Sequence, residues 1–200
     1  MHTEQRLKIK KKSAGSAAVE FVLMMPLLLL LALPIFDLTR IIQANMILVN
    51  LSREGANLAS RSSQDPQTIM NAIAQTTPPL TMATNGMIYI SKIMGNAPGT
   101  QDVILAQYRW TQGASQANQT SNVWSACGSN WASDGSGQCN SIPATGTPIN
   151  DAMSGTLSDG EVIYVVEVFY HVDLLFSAMN LGFGITTPQF DPDLYSKTIF

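Results

Sequence analysis

A chain of 200 residues with 12% charged side chains accommodates one globular domain plus a long helix, and the charge content is low for a soluble domain. The net charge of −3 is unevenly distributed: Arg6, Lys8, Lys10, Lys11 and Lys12 oppose Glu4 before Gly15, whereas twelve acids oppose six bases from Asp37 onward. The basic cluster flanks an apolar block and not a folded face, which argues against nucleic acid as a partner and for membrane lipid, with the Lys/Arg end held in the cytoplasm.

The apolar block runs from Phe21 to Phe36 without a polar residue. With Ser16 to Val19 it reaches the about 20 residues needed to cross hydrocarbon. Pro26 and Pro34 each remove a backbone donor, which is tolerated in a membrane helix where neighbours satisfy the freed carbonyls. A secretory signal peptide also combines basic and apolar regions, but it ends in small residues around a cleavage point. Here the block ends "LALPIFDLTR" and the helical pattern continues. Glu20 stands at the edge of the block. A charge there is costly unless it reaches the interface or is neutralised.

Gly15, "SAAV", Glu20-Phe21 and the apolar block together resemble the prepilin-peptidase site of type IV pilin-like proteins. The resemblance implies cleavage between Gly15 and Ser16 by a membrane aspartic protease on the cytoplasmic side, which places Glu20 fifth in the mature chain. The aromatic Phe21 after it matches the Flp/Tad branch. The new amine of Ser16 would pair with such a glutamate, usually between neighbouring subunits, and opposite charges would then offset each other's desolvation. Further along, Arg53-Glu54-Gly55-Ala56 and Arg61 resemble an "R-x-G-A" segment of the TadE/TadG-like pseudopilins of the Flp/Tad (type IVb) pilus system. The resemblance covers about the first sixty residues. It implies prepilin peptidase, other pilins and pseudopilins, and the inner-membrane Tad assembly platform as partners, with no cofactor. A large C-terminal domain departs from the short major pilin and favours an assembly or minor component.

The expected organisation is a basic leader over 1–15, a membrane helix over 16–36, an amphipathic stalk over 37–62 and a periplasmic domain over 63–200. In the stalk, Leu38, Ile41, Ile42, Leu48, Val49, Ala56 and Ala59 fall on one side at ~100° per residue. Arg40, Gln43, Asn50, Glu54, Asn57 and Arg61 fall on the other. As one helix, 16–61 would be about 70 Å long. Ser52, Gly55, Ala56 and Ala59 thin one side for close approach, either of this chain's own sheet or of a partner helix. Asp65-Pro66 reads as an N-cap with Pro in the first turn of a short helix over Gln67–Gln75, which "TTPPL" ends.

Strands are predicted at Met87–Ile93, Val103–Trp110, Glu161–Val172 and Tyr195–Phe200. In the second, Ile104, Ala106, Tyr108 and Trp110 share a face by alternation. In the third, Val162, Tyr164, Val166, Val168, Tyr170 and Val172 form an apolar face opposite Glu161, Glu167 and His171. The predicted fold class is α+β and pilin-like: a long N-terminal helix packed on a small antiparallel sheet whose other face is partly wet. Residues 111–160, rich in Gly, Ser, Asn and Thr, form a long loop of the kind that is functional or disordered. The two cysteines, Cys127 and Cys139, match no zinc spacing. Beyond an inner membrane they are expected to pair and close that loop.

No catalytic constellation assembles, so no enzyme is expected. His171 shares a strand face with Glu167 and Asp173, but three residues on one strand rarely surround an ion, and no metal site is assigned. Asp191-Pro192-Asp193 is a turn signal before it is a calcium site. No nucleotide-binding or nucleophile motif is present. The leading expectation is a minor pseudopilin acting in pilus assembly, initiation or adhesion. The alternative is an unprocessed, membrane-anchored binding or adhesion module that uses the Trp124- and Trp131-bearing loop.

Overall fold

The computed structural model describes residues 14–96, 100–113, 119–149, 157–175 and 192–200, with side chains from residue 17 onward. Helix α1 (Ala14–Arg61) is unbroken over 48 residues, with Pro26 and Pro34 inside it. Helices α2 (Pro66–Ala74) and α3 (Met82–Asn85) precede strands β1 (Gly86–Met94), β2 (Val103–Arg109), β3 (Thr147–Pro148), β4 (Val162–His171) and β5 (Asp193–Ile199). The sheet order is β3-β2-β1-β4-β5, antiparallel at every pair. This is the α+β arrangement that the periodicity predicts, with each of the four predicted strands present to within two residues at either end.

Asp65 caps α2 as expected. Its carboxylate accepts from the Gln67 and Thr68 amides, and Pro66 occupies the first turn, where a missing N–H costs nothing. Ile69, Met70 and Ile73 of α2 are buried with Leu48, Leu51, Ala56 and Ala59 of α1 against Ile88, Ile90, Val166 and Val168 of the sheet. Each such large side chain contributes about 1.5–3 kcal/mol on burial.

The small residues of α1 face this chain's own sheet. A Cβ at Gly55 would lie 2.9 Å from Ile73 Cδ1 and 3.1 Å from Val166 Cγ1. Ser52 Oγ is within 2.9 Å of Ser196 Oγ and 2.8 Å of Thr198 Oγ1, so one buried and one part-buried polar contact hold β5 to the same face.

The stalk face needs a correction. Ala44, Leu48, Leu51, Ser52, Gly55, Ala56 and Ala59 form the buried stripe, whereas Leu38 and Ile42 are 55% and 52% exposed. A regular 100° step does not separate positions 38 and 42 sharply enough from the half-buried Ile41 and the buried Ala44. The sheet covers a narrower arc than the apolar pattern suggests.

The partly wet sheet face is corrected as well. Residues 119–149 lie across it. Ile93, Ile104, Ile163 and Val165 form a second core there with Val123 and Ile149. Ile104 reaches this core because the β1–β2 register passes from Lys92↔Ala106 to Ile93↔Ile104, leaving Leu105 as an extra residue. Such a bulge flips the alternation, so Ile104 faces away from Tyr108.

Candidate functional site: the exposed N-terminal helix and its junction with the sheet

Between Ala17 and Phe36 almost every side chain of α1 is exposed, including Phe21, Leu23, Leu27 to Leu31 and Ile35. An 18-residue window in this part of the helix has mean hydropathy 2.4 and none of it is buried. The helix is therefore long and apolar enough to cross a membrane. Contiguous apolar surface of this extent on a folded chain demands a nonaqueous neighbour. Gly15 and Ser16 lie in the first turn of α1, and their side-chain surroundings fall outside the described residues. Glu20 and Phe21 follow on the exposed helix. The residues proposed for cleavage and pairing thus share one helical segment, far from the sheet.

Asp37, the first charged residue after Glu20, joins the two parts of the molecule. It is 6% exposed. Its Oδ1 accepts the Leu175 amide at 3.2 Å and lies 3.9 Å from Arg40 Nη1, which in turn donates to the Asp173 carbonyl at 3.1 Å. The end of β4 is thereby fastened to the helical turn that leaves the apolar block. Sequence reasoning passed over Asp37; its signal was a lone carboxylate directly after sixteen uninterrupted apolar positions. Beside this junction a cavity of about 250 Å³ is lined by Arg40, Gln43, Thr81, Asn85, Tyr170 and Asp173.

Glu167 is a second residue whose role sequence reasoning missed. Placed on a solvated face by alternation, it is fully buried beneath the 119–149 segment. Its carboxylate accepts the Ser121 hydroxyl, the Asn122 amide at 2.9 Å and the Tyr195 hydroxyl at 2.9 Å. Three donors replace the water that a buried carboxylate loses. His171 does not join it. Its Nδ1 is 3.0 Å from Asp193 Oδ1 and its Nε2 is 3.7 Å from Asp173 Oδ1. Asp193 opens β5 opposite His171, and Asp191 lies outside the described residues.

The same covering segment carries the disulfide. Cys127 and Cys139 are bonded, with 5.8 Å between their Cα atoms. Cys139 N donates to Gln107 O at 2.8 Å, so the bond fastens the cover to the β2 edge. The tryptophans serve packing. Trp110 is buried with its indole N–H on Asn71 Oδ1 at 2.7 Å, and Trp131 lies 5.9 Å from Tyr89, with the Arg109 guanidinium 5.0 Å from its ring. The Tyr89 hydroxyl donates to Gln119 O at 2.6 Å, and burial pushes its pKa above the usual phenol value, opposed by Arg109. Replacing both cysteines by serine is expected to cost about 2–3 kcal/mol. Urea unfolding of the full chain in detergent should show it, with amide protection lost first over 119–130.

Residues 15–57 match the family model described as TadE-like protein. This segment is TadE-like. Neither a curated protein nor a solved structure matches the chain. The TadE-like match opens at Gly15, contains Glu20, the apolar block, Asp37 and the Arg53–Ala56 run, and closes before α1 ends. It also includes Gly55, where an added Cβ would meet side chains of α2 and β4, so the TadE-like segment combines an exposed half with a half seated on the sheet.

Proposed function

We propose that the protein is a minor pseudopilin of a Tad/Flp type IVb pilus system, acting by association and not by catalysis. The observation that carries this reading is the coincidence, in one TadE-like segment, of Gly15, Glu20 and Phe21 with an exposed apolar helix of membrane-spanning length. In this reading the basic leader stays in the cytoplasm, α1 crosses the inner membrane and the sheet domain lies in the periplasm. Prepilin peptidase cuts after Gly15. The Ser16 amine then becomes a positive partner for Glu20 of a neighbouring pilin or pseudopilin, which lowers the cost of holding both charges at the membrane edge. Before cleavage that amine is absent, so leader removal acts as the switch for assembly on the inner-membrane Tad platform, in pilus initiation, capping or adhesion.

The test is the N-terminus of the membrane-extracted protein, read by intact mass and N-terminal peptide sequencing, with Gly15→Leu beside it. The wild type is expected to begin at Ser16 and the variant to retain its leader. A wild-type chain beginning at Met1 in cells with active peptidase would overturn the proposal and favour the anchored binding module. A start beyond Phe36 would make the apolar block a signal peptide.

A further inference from the structure

The junction at Asp37 places a second part of the chain at the membrane boundary. Hydrocarbon about 30 Å thick takes about 20 helical residues, and 17–36 supplies them. Asp37 then stands at the first position past the hydrocarbon, and the Leu175 amide is bound to its carboxylate at 3.2 Å. The Leu175 side chain is 59% exposed, at the level where Ile35, Phe36 and Leu38 of α1 are also exposed. Arg40, held to the Asp173 carbonyl, supplies a cation at the headgroup level, where a long basic side chain keeps its charge wet above buried methylenes. The Asp173 carboxylate, two residues before Leu175, is exposed and meets His171 Nε2 at 3.7 Å on the sheet side. The opposite end of the domain, at the turn of Asp159 and Gly160, is exposed and acidic.

We propose that the end of β4 is a second membrane contact: Leu175 sits in the interfacial layer of the bilayer beside the exit of α1, and the lipid surface is its partner. Two attachments fix the tilt of a rigid domain, whereas one helix leaves it free to swing. Apolar side chains at the headgroup–acyl boundary are stabilised there, and Asp37 stays satisfied because the Leu175 amide and Arg40 face it. The inference rests on the membrane-spanning reading of α1, and the test separates the two.

The full chain, reconstituted in phosphatidylethanolamine/phosphatidylglycerol vesicles, carries one added cysteine labelled with an environment-sensitive fluorophore, at Leu175→Cys, Leu28→Cys or Asp159→Cys. The native cysteines are bonded to each other and do not react. Vesicles containing lipid with a nitroxide near the headgroup end of the acyl chain are expected to quench the Leu175 label by at least half and to leave the Asp159 label unchanged, and lipid with a nitroxide near the methyl end is expected to quench the Leu28 label. Quenching at Leu28 with none at Leu175 would overturn the second contact and keep the membrane span. Absence of quenching at both would overturn the span and the contact together.

Discussion

Gly55→Ile is expected to destabilise the folded domain by about 3 kcal/mol, at the upper end of what overpacking a close contact costs. The first carbon added already lies 2.9 Å from Ile73 Cδ1 and 3.1 Å from Val166 Cγ1, both on buried side chains of different elements. A branched side chain has to push α1 away from α2 and β4 together, which also loosens the nearby Ser52 contacts to Ser196 and Thr198. Gly55→Ala should behave differently. It gains about 1 kcal/mol of helix propensity, and the nearest atom it meets is the far end of a flexible isoleucine, so the net change is expected within about 1 kcal/mol of zero. Urea titration of the full chain in detergent, followed by tryptophan fluorescence, measures both. An unchanged midpoint for Gly55→Ile would mean that α1 does not seat on β4 at this residue.

Glu167→Ala is expected to cost about 2–4 kcal/mol, because the Asn122 amide and the Ser121 and Tyr195 hydroxyls lose a shared buried acceptor. The loss should be local in its first effect. Hydrogen exchange should rise over 119–124 and 194–197 well before it rises in β1. Tyr195→Phe, which removes one donor and leaves the other two satisfied, should cost about 1 kcal/mol. Equal losses for the two variants would show that the carboxylate does not organise the cover.

Glu167 also marks the limit of what the sequence discloses. Period-2 alternation placed it correctly on the face opposite Val166 and Val168, because side-chain direction along β4 is a local property. Its burial depends on residues 119–149, whose Gly, Ser and Asn content carries no periodicity and whose hydrogen bonds to Glu167 span 45 and 46 positions. Ile104 was assigned to the wrong face for a related reason: the bulge at Leu105 is a property of the β1–β2 pair, visible only when both strands are aligned. Leu38 and Ile42 show the opposite error, since apolar residues next to an exposed apolar helix need not face the protein core. The α2 cap and the four main strands were legible because a capping carboxylate and runs of branched and aromatic residues act over short range. In the candidate site, the exposed apolar helix that carries Glu20 and Phe21 was legible from composition. Asp37 was not, because its partner amide is 138 positions away.

Three contacts give the alignment of the sheet on the helix. Arg40 meets Asp173, Gly55 meets Val166, and Ala59 and Tyr164 line one cavity. From Arg40 to Gly55 the helix rises about 22 Å. From Val166 to Asp173 the strand covers about 23 Å. β4 therefore lies along α1, in the opposite sense, for most of its length. Tension applied along the axis of α1 acts parallel to the strands. It loads the β1–β4 and β4–β5 ladders in shear, so their rungs resist together, whereas a pull across the sheet would open them one at a time.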